Sequence, residues 1–409
     1  MRIVVIGGGL IGLGTAYALQ RILNGVDVVV CEKEERLGAH QSTHNSGVLH
    51  AGLYYRPGSA KALLAVRGIR LMVSFARRHA VRYEQCGKVV VAAGSGDAAE
   101  LSRLRGLFER GNANGLQGLQ WLSGDELRAR EPAARGDAAV LVPEEGIIDY
   151  AAVVAALRAE IVAARGEVLS GAPVTEARRD GTTWRLSVGA TTISADFVIN
   201  CAGLQSDRVA RLFGERPATR IVAFRGDYHT LARPGLVQHL IYPVPDPAFP
   251  FLGVHFTRMI GGGAECGPSA VLSLDREGYR RNAFRLGDAA DTLAFSGLWR
   301  FVARHPWPTV REVARAQSKR LLLSALRRLV PAVELSDLQA GLVGVRAQAM
   351  KPDGTLVDDF EFLSGPSTLH VLNAPSPGAT ASLAIGEEIA RHVARDSRQA
   401  LRADALDLV

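Results

Sequence analysis

The chain of 409 residues contains few cysteines: Cys31, Cys86, Cys201 and Cys266. They are far apart and lack metal-site spacing, so we expect no disulfide framework, no metal site and a reducing compartment. No apolar run approaches the roughly 20 residues that a membrane-spanning helix needs. A strand pattern begins at Arg2 with no basic leader before it, so we expect no cleavable signal. These absences predict a cytoplasmic protein.

The composition is that of an ordinary globular protein, with 47% apolar and 22% charged residues. A chain of this length can bury a large core and is expected to form two domains. The net charge of +7 is moderate and can attract an anionic substrate or an anionic membrane surface. The sequence contains no nucleic-acid recognition motif, so we expect no nucleic acid partner.

The beginning of the chain has the pattern of a β-α-β unit. The strand Arg2–Ile6 is followed by Gly7-x-Gly9-x-x-Gly12, an apolar helical pattern, and the strand Asp27–Cys31, which leads into Glu32. The glycines permit a tight turn, close approach of a pyrophosphate, and close packing of helix on strand. The helix N-terminus supplies free N–H groups for phosphates. Glu32 is placed to bind a ribose diol, which disfavours a 2′-phosphate and therefore NADP.

The polar stretch at 40–55 distinguishes FAD from NAD. It reads His40-Gln-Ser-Thr-His-Asn-Ser-Gly-Val-Leu-His-Ala-Gly-Leu-Tyr-Tyr55, with three histidines and two tyrosines. An NAD enzyme would normally continue into further β-α-β units here, whereas this stretch has almost no apolar periodicity. We interpret it as the wall of a flavin site, with His50 and the tyrosines turned toward a substrate. An amphipathic helix is predicted after it, at about 59–78.

The rest of the pattern predicts a discontinuous α/β architecture, α+β overall. Short strands and polar helices, then an alternating antiparallel pattern, predict a substrate or cap domain over 88–143 and 220–337. Residues 1–87, 144–219 and 338–409 are predicted to form the nucleotide-binding domain. In that domain Asp149 is the expected N-cap of a helix, and Leu338–Met350 is an expected strand.

The segment at 293–330 within the cap domain is helical in pattern, basic and aromatic. Such a mixture can lie on an anionic membrane surface. It is equally typical of an amphipathic cap helix with a solvated basic face. Both interpretations stay open.

Motifs spanning nearly the whole chain resemble one family. They include His44-Asn-Ser-Gly-Val48, His50-Ala-Gly52, Phe224-Arg-Gly226, Ile241-Tyr-Pro-Val-Pro-Asp-Pro247, Phe249-Pro-Phe-Leu-Gly-Val-His-Phe-Thr-Arg258, Gly344-Val-Arg-Ala-Gln348 and Asn373-Ala-Pro-Ser-Pro377. In this order they resemble the FAD-dependent L-2-hydroxyglutarate oxidases and dehydrogenases, within the D-amino-acid oxidase-like flavoproteins. The resemblance implies a Rossmann-like FAD-binding domain of the glutathione-reductase type with an inserted antiparallel-sheet substrate domain. It also implies oxidation of L-2-hydroxyglutarate to 2-oxoglutarate.

The implied reaction passes a hydride to flavin N5 while a base removes the hydroxyl proton. Histidine suits the base because its charge changes near neutral pH, and His50 and His255 are the two candidates. Arg346, in Gly344-Val-Arg346, is implied to hold a substrate carboxylate through its forked donors. Weaker candidates for the second carboxylate are Tyr54, Tyr55, Arg225, Tyr242 and Lys351.

The resemblance also implies a set of FAD-binding residues. The ADP half is assigned to Gly7, Gly9, Gly12 and Glu32, with Lys33 beside the ribose and the Val174 backbone at the adenine. The flavin is assigned to Ser42, Thr43, Asn45, Ser46 and Val48. The enclosure is completed by Ala202, Gly203, Gly378, Ala379 and Thr380.

Two alternative functions stay open. The sequence departs from the family pattern at Ser42-Thr43, Asp227-Tyr228-His229 and Gly378, which motivates another 2-hydroxy acid or an α-amino acid as substrate. The other hypothesis is a flavin-bearing, membrane-associated module that serves the respiratory chain. The electron acceptor is expected to be oxygen or a membrane quinone, and a peripheral position on the inner membrane is consistent with the second.

Overall fold

Helices and strands are mixed along the chain, as the sequence predicts. A computed structural model describes residues 1–94, 96–246 and 253–402, so the part of the family motifs at 247–252 lies outside the description. In these ranges the helices are α1 Leu10–Ile22, α2 Ala60–Arg78, α3 Ala98–Ala113, α4 Gly124–Arg130, α5 Tyr150–Ala163, α6 Ser206–Leu212, α7 Leu286–Leu293, α8 Ser296–Arg304, α9 Pro306–Gln317, α10 Lys319–Leu326 and α11 Ser382–Ser397. The strands are β1 Arg2–Ile6, β2 Asp27–Cys31, β3 Val48–Leu49, β4 Tyr83–Glu84, β5 Lys88–Ala92, β6 Gln120–Ser123, β7 Ala138–Val142, β8 Gly146–Ile148, β9 Glu167–Leu169, β10 Val174–Asp180, β11 Thr183–Val188, β12 Thr191–Ala195, β13 Phe197–Asn200, β14 Arg220–Leu231, β15 Leu240–Pro243, β16 His255–Arg258, β17 Ala264–Gly267, β18 Val271–Leu272, β19 Leu338–Met350, β20 Glu361–Gly365 and β21 Thr368–Asn373.

A six-stranded sheet contains the predicted β-α-β unit. Its strand order is β20-β21-β13-β1-β2-β9, and β1 pairs in parallel with both β2 and β13. These strands are almost wholly apolar because both faces of the sheet are covered. The carboxyl ends of β1, β2 and β13 meet at one edge, where an open α/β sheet normally binds its ligand.

The two ends of the chain pack against each other through α1 and α11. A Cβ atom at Gly386 would lie 2.4 Å from the carbonyl oxygen of Gly14, so these two helices approach at a distance that only glycine allows. The predicted N-cap is also present, since Asp149 accepts a hydrogen bond from the N–H of Ala152. Ser59 caps the start of α2 in the same way and accepts a hydrogen bond from the N–H of Ala62.

A nine-stranded sheet lies beside the first. Its main path is β18-β14-β17-β16-β15-β5-β7-β6, and β19 pairs with β14. Strands from 88–143 and from 220–273 therefore share one mostly antiparallel sheet. The strand Leu338–Met350 was expected with the nucleotide-binding residues, but it is hydrogen-bonded along nearly all of β14 instead. The apolar composition of Leu338–Met350 did not identify the strand with which it pairs. The division of the chain into two domains stays a prediction.

The basic and aromatic segment at 293–330 folds mainly as α8, α9 and α10. Leu298 and Phe301 of α8 pack with Phe224 and Met350 in a small apolar cluster. Across the described residues, we find no helix with both the length and the apolarity that crossing a bilayer requires.

Candidate active site

A cavity of about 920 Å³ opens at the carboxyl edge of the six-stranded sheet. Its lining includes Gly7 and Glu32 from that sheet and Tyr242, His255 and Arg346 from the nine-stranded sheet. Cavities of this size bind cofactors and small substrates. The two sheets therefore contribute to a single site.

One end of the cavity is a glycine turn. Gly7 has a φ of +115°, and a Cβ atom at Gly12 would lie 1.9 Å from the carbonyl oxygen of Gly7. Gly9 is the N-cap of α1 and leaves the first turn without a side-chain cap of its own, while the Ser42 hydroxyl accepts a hydrogen bond from the N–H of Leu10 at 2.9 Å. Free N–H groups at this helix end and the bare backbone fit a pyrophosphate.

Glu32 lies at the end of β2 and is almost buried. Its carboxylate accepts hydrogen bonds from the N–H of Gly8 at 2.7 Å and of Glu34 at 2.9 Å, and it lines the cavity. A carboxylate has further lone pairs, so these bonds leave capacity for ribose hydroxyls. Lys33 also lines the cavity, but its ammonium lies 3.1 Å from Glu277 and contacts Glu34.

The polar stretch at 40–55 is ordered mainly by its own hydrogen bonds. The Asn45 amide nitrogen donates to the carbonyl oxygens of Gln41 and Ser42, both at 2.9 Å. The Thr43 hydroxyl donates to the carbonyl oxygen of Gly38 at 2.8 Å and does not line the cavity. Many of the polar groups read as cofactor ligands therefore hold the loop in shape.

Thr380 joins this loop to the turn before α11. Its hydroxyl lies 3.2 Å from the carbonyl oxygen of Val48 and accepts a hydrogen bond from the N–H of His50 at 3.2 Å. The buried Tyr150 hydroxyl, which sequence reasoning missed, lies 2.9 Å from the Thr380 hydroxyl. The end of β3 and the adjoining backbone of His50 are thus held by the Thr380 and Tyr150 hydroxyls.

The two candidate bases meet across one tyrosine ring. Tyr242 stacks on His255 with ring centroids 3.9 Å apart and an interplanar angle of 17°. His50 meets the same ring edge-on, with centroids 6.3 Å apart and an angle of 84°. Since both imidazoles line the cavity, the structure brings the two predicted histidines together.

His255 is held as a neutral imidazole. Burial lowers the pKa of His255 to about 3, and the charge of Arg346 acts in the same direction. Its Nδ1 lies 3.0 Å from the carbonyl oxygen of Gly253. A carbonyl oxygen only accepts, so Nδ1 carries the ring proton and Nε2 is an acceptor.

Arg346 is a cation directed at the cavity. Among the described residues it forms no ion pair with a carboxylate, and its guanidinium is hydrogen-bonded to the Tyr228 hydroxyl. Register pairs Arg346 with Phe224, and Val345 with Arg225. Neighbouring residues of a strand point to opposite faces, so Arg225 lies on the face opposite to Arg346.

Two predicted substrate ligands are not at the cavity. Arg225 is paired with Asp227, with Nε and Oδ1 3.1 Å apart, and it does not line the cavity. Lys351 is exposed at the start of the turn after β19 and also lies outside it. Tyr54, Tyr55 and Tyr242 do line it. The Tyr54 hydroxyl is buried without a hydrogen-bond partner in the described part of the chain.

The predicted cofactor residues divide in a similar way. Gly12 and Thr43 do not line the cavity, and they support the residues that do. The remaining members line the cavity: Gly7, Gly9, Glu32, Lys33, Ser42, Asn45, Ser46, Val48, Val174, Ala202, Gly203, Gly378, Ala379 and Thr380.

Sequence reasoning missed a buried ion pair behind the histidines. Lys88 begins β5 and Glu145 lies in the turn before β8, and both are fully buried. Their Nζ and Oε2 atoms are 2.6 Å apart, and Glu145 Oε2 is 3.5 Å from His50 Nδ1. Burial by itself raises the pKa of Glu145, but Lys88 and His50 more than offset this, lowering it to about 2. The pair joins residues distant in sequence, and no motif marks it.

Comparisons with known proteins agree with this geometry. The family model described as FAD dependent oxidoreductase (DAO) matches residues 2–392. The chain is 42% identical over 394 residues to the L-2-hydroxyglutarate dehydrogenase of Escherichia coli (strain K12), covering 95% of this chain and 92% of that protein. It is 40% identical over 411 residues to the mitochondrial L-2-hydroxyglutarate dehydrogenase of Homo sapiens, covering 96% of this chain and 88% of that protein.

Solved structures show the same fold at lower identity. The FAD-bound L-alpha-glycerophosphate oxidase of Mycoplasma pneumoniae aligns with a TM-score of 0.78 and 21% identity, covering 98% of this chain and 95% of that chain. The glycine oxidase of Geobacillus kaustophilus aligns with a TM-score of 0.72 and 19% identity, covering 96% of this chain and 95% of that chain. With a dinucleotide cradle and a family model that spans almost its whole length, the chain belongs to the FAD-dependent oxidoreductase (DAO) family.

Proposed function

We propose that this protein oxidises the 2-hydroxyl group of L-2-hydroxyglutarate to give 2-oxoglutarate. The observation that carries the proposal is the convergence of His50, His255 and Arg346 on the cavity that begins at the dinucleotide cradle. Relatives named L-2-hydroxyglutarate dehydrogenase, about 40% identical over nearly the whole chain, support it.

FAD would be held by the glycine turn, by Glu32 and by the walls at Ser42 and Gly203. The bare backbone at Gly7 and the first turn of α1 suit the pyrophosphate, and Glu32 suits a ribose. When bound, FAD supplies the acceptor for the hydride that leaves the substrate carbon. Side chains of this protein would bind the substrate, orient it and take up the hydroxyl proton.

Arg346 would bind one carboxylate of the substrate. A guanidinium offers two parallel N–H donors that match a carboxylate. Among the described residues Arg346 forms no ion pair, although its charge acts on the Glu312 carboxyl. The unpartnered Tyr54 hydroxyl, with Tyr55 and Tyr242 nearby, is our candidate for the second carboxylate. A buried donor without a partner is costly, so a ligand oxygen would satisfy it.

The substrate hydroxyl would lie between the two imidazoles. His255 Nε2 is an acceptor, since Nδ1 holds the ring proton, so it can orient the hydroxyl group. The hydroxyl group has a single proton, so only one of the two imidazoles can accept it as the hydride leaves. Exclusion of water by the stacked Tyr242 ring would favour both interactions.

A second proposal concerns the surface of α8 and α9. Trp307 is 74% exposed, Val310 is 59% exposed and Trp299 is 56% exposed. Trp307, Val310 and Arg311 are spaced so that they share one face of α9. Exposed aromatic and basic side chains together suit an anionic membrane surface, where a quinone would accept the electrons. Co-flotation with anionic but not neutral vesicles, lost in Trp307→Ser with Arg311→Ser, would support it.

A substrate panel tests the main proposal against its alternatives. The purified yellow protein is mixed without oxygen with L-2-hydroxyglutarate, L-lactate or L-glutamate, and loss of the oxidised flavin absorbance is followed. We expect L-2-hydroxyglutarate to bleach the flavin at far lower concentration than either competitor. L-lactate lacks the second carboxylate, and L-glutamate has an amine in place of the hydroxyl. Preference for L-glutamate would replace the proposal with an α-amino acid oxidase.

A further inference from the structure

The buried ion pair of Lys88 and Glu145 has no contact with solvent, and its position is fixed. Lys88 Nζ lies 4.5 Å from the centre of the Tyr54 ring and 5.2 Å from that of Tyr242. Glu145 Oε1 accepts a hydrogen bond from the N–H of Ala51 at 3.0 Å. Buried ion pairs contribute little net stability compared with apolar residues of similar volume. A role in arranging its surroundings is therefore the better explanation of this pair.

The Glu145 carboxylate lies at the Nδ1 edge of the His50 ring. Oε1 is occupied by the N–H of Ala51, and Oε2 lies between Lys88 Nζ at 2.6 Å and His50 Nδ1 at 3.5 Å. An ionised carboxylate only accepts hydrogen bonds, so the neutral His50 ring presents its N–H at Nδ1. The lone pair is then on Nε2, and His50 lines the cavity. This is the tautomer that a base needs.

The two histidines differ in what lies behind them. Behind His50 is the negative Glu145, which stabilises the positive charge that a base acquires. His255 Nδ1 instead faces the neutral carbonyl oxygen of Gly253, and no acid of the described residues forms an ion pair with this ring. Two cations face the two histidines from neighbouring elements. One is Lys88, whose charge Glu145 neutralises, and the other is Arg346. A proton is therefore better held on His50 than on His255.

We propose that the Lys88–Glu145 ion pair is a positioning device that makes His50 the base of the reaction. This inference rests on the function proposed above. The hydroxyl proton moves to His50 Nε2 as the hydride and its electron pair move to bound FAD, and the carbonyl C=O bond forms. His255 stays neutral and takes no proton. Glu145 acts through His50 and Lys88 acts through Glu145.

The test compares Glu145→Gln with the matched control Glu144→Gln in the FAD-loaded protein. Glu144 is the adjacent acid, but it faces Arg70, with Oε1 and Nε 3.6 Å apart, and accepts a hydrogen bond from the N–H of Gln117. Rapid mixing without oxygen measures the rate of flavin reduction at saturating L-2-hydroxyglutarate across a pH series. We expect E145Q to slow reduction about 10²-fold and E144Q to match the wild type.

The pH profile separates positioning from mere structure. A base acts only when it is deprotonated, so the rate of flavin reduction should rise with pH. Loss of the Glu145 charge destabilises the imidazolium, and the rise should move to lower pH in E145Q. Lys88→Met leaves His50 facing an unshared carboxylate, and the rise should move to higher pH. Shifts in the same direction in both variants, or none, would overturn the inference.

Folding and binding are checked separately. The double variant Lys88→Met with Glu145→Gln leaves no charge at these two buried positions. It should stay yellow and bind 2-oxoglutarate with unchanged affinity, and its flavin should still be reduced slowly. A double variant that reduces at the wild-type rate would refute the inference. If L-2-hydroxyglutarate does not reduce the wild type at all, the proposed function fails instead. The inference alone fails if the wild type is reduced and E145Q equals it in rate and pH profile.

Discussion

Lys88 Nζ lies 2.6 Å from Glu145 Oε2, with 0% and 1% of the two side chains exposed. Removing one partner leaves the other as an uncompensated buried charge, which typically costs about 3–5 kcal/mol. We therefore expect Lys88→Met to lower the free energy of unfolding by about this amount. Urea denaturation at a fixed excess of FAD measures it. Neutralising both partners should recover most of the loss, and a single variant as stable as the wild type would contradict the pairing.

Arg346→Ala should weaken substrate binding. If the guanidinium holds a carboxylate in a desolvated site, its loss costs about 2–5 kcal/mol, seen as a higher concentration of L-2-hydroxyglutarate for half-maximal flavin reduction. Lys351→Ala is the matched control, since this cation is exposed and outside the cavity, and we expect no change. If the wild type and R346A needed the same concentration of L-2-hydroxyglutarate for half-maximal flavin reduction, Arg346 would not be a substrate ligand.

Glu32→Ala should weaken retention of FAD. The variant loses an acceptor for the ribose and also leaves the N–H groups of Gly8 and Glu34 without their partner. Gel filtration followed by the visible spectrum should show flavin lost from E32A and kept in Glu35→Ala, the exposed acid three residues on. A variant that keeps its flavin as firmly as the wild type would show that Glu32 is not a ligand.

His370 should make stability depend on pH. It is fully buried between Asn200 and Thr368, and burial lowers its pKa to about 4, below about 6.5 for an unfolded histidine. The unfolded chain therefore binds a proton first, so the stability from this group is present above about pH 6.5 and is lost as the pH falls toward 4. The loss amounts to about 3 kcal/mol. His370→Gln should flatten this part of the denaturation profile, and an unchanged slope would contradict it.

Much of the fold could be predicted because its signals are local. The glycine turn after Arg2–Ile6, the cap at Asp149 and the apolar strands each depend on residues close in sequence. The placement of Leu338–Met350 depends on which distant strand accepts its hydrogen bonds, and composition does not encode that choice.

The site was predicted less completely for the same reason. Arg225 and Arg346 are both arginines in family motifs, and only the register of β14 and β19 puts them on opposite faces. Lys88 looks like an ordinary charge at the start of a strand. Its role becomes visible only when the turn that carries Glu145 is brought against it.

The central claim is that one cavity brings a bound flavin, two imidazoles and Arg346 to a 2-hydroxy dicarboxylate. Titration of the purified yellow protein with L- and D-2-hydroxyglutarate, in the absence of oxygen, tests it most directly. We expect about one equivalent of the L-enantiomer to bleach the flavin and form 2-oxoglutarate, while the D-enantiomer should leave the spectrum unchanged. A preparation that takes up no FAD, or a flavin that the L-enantiomer does not reduce, would contradict it.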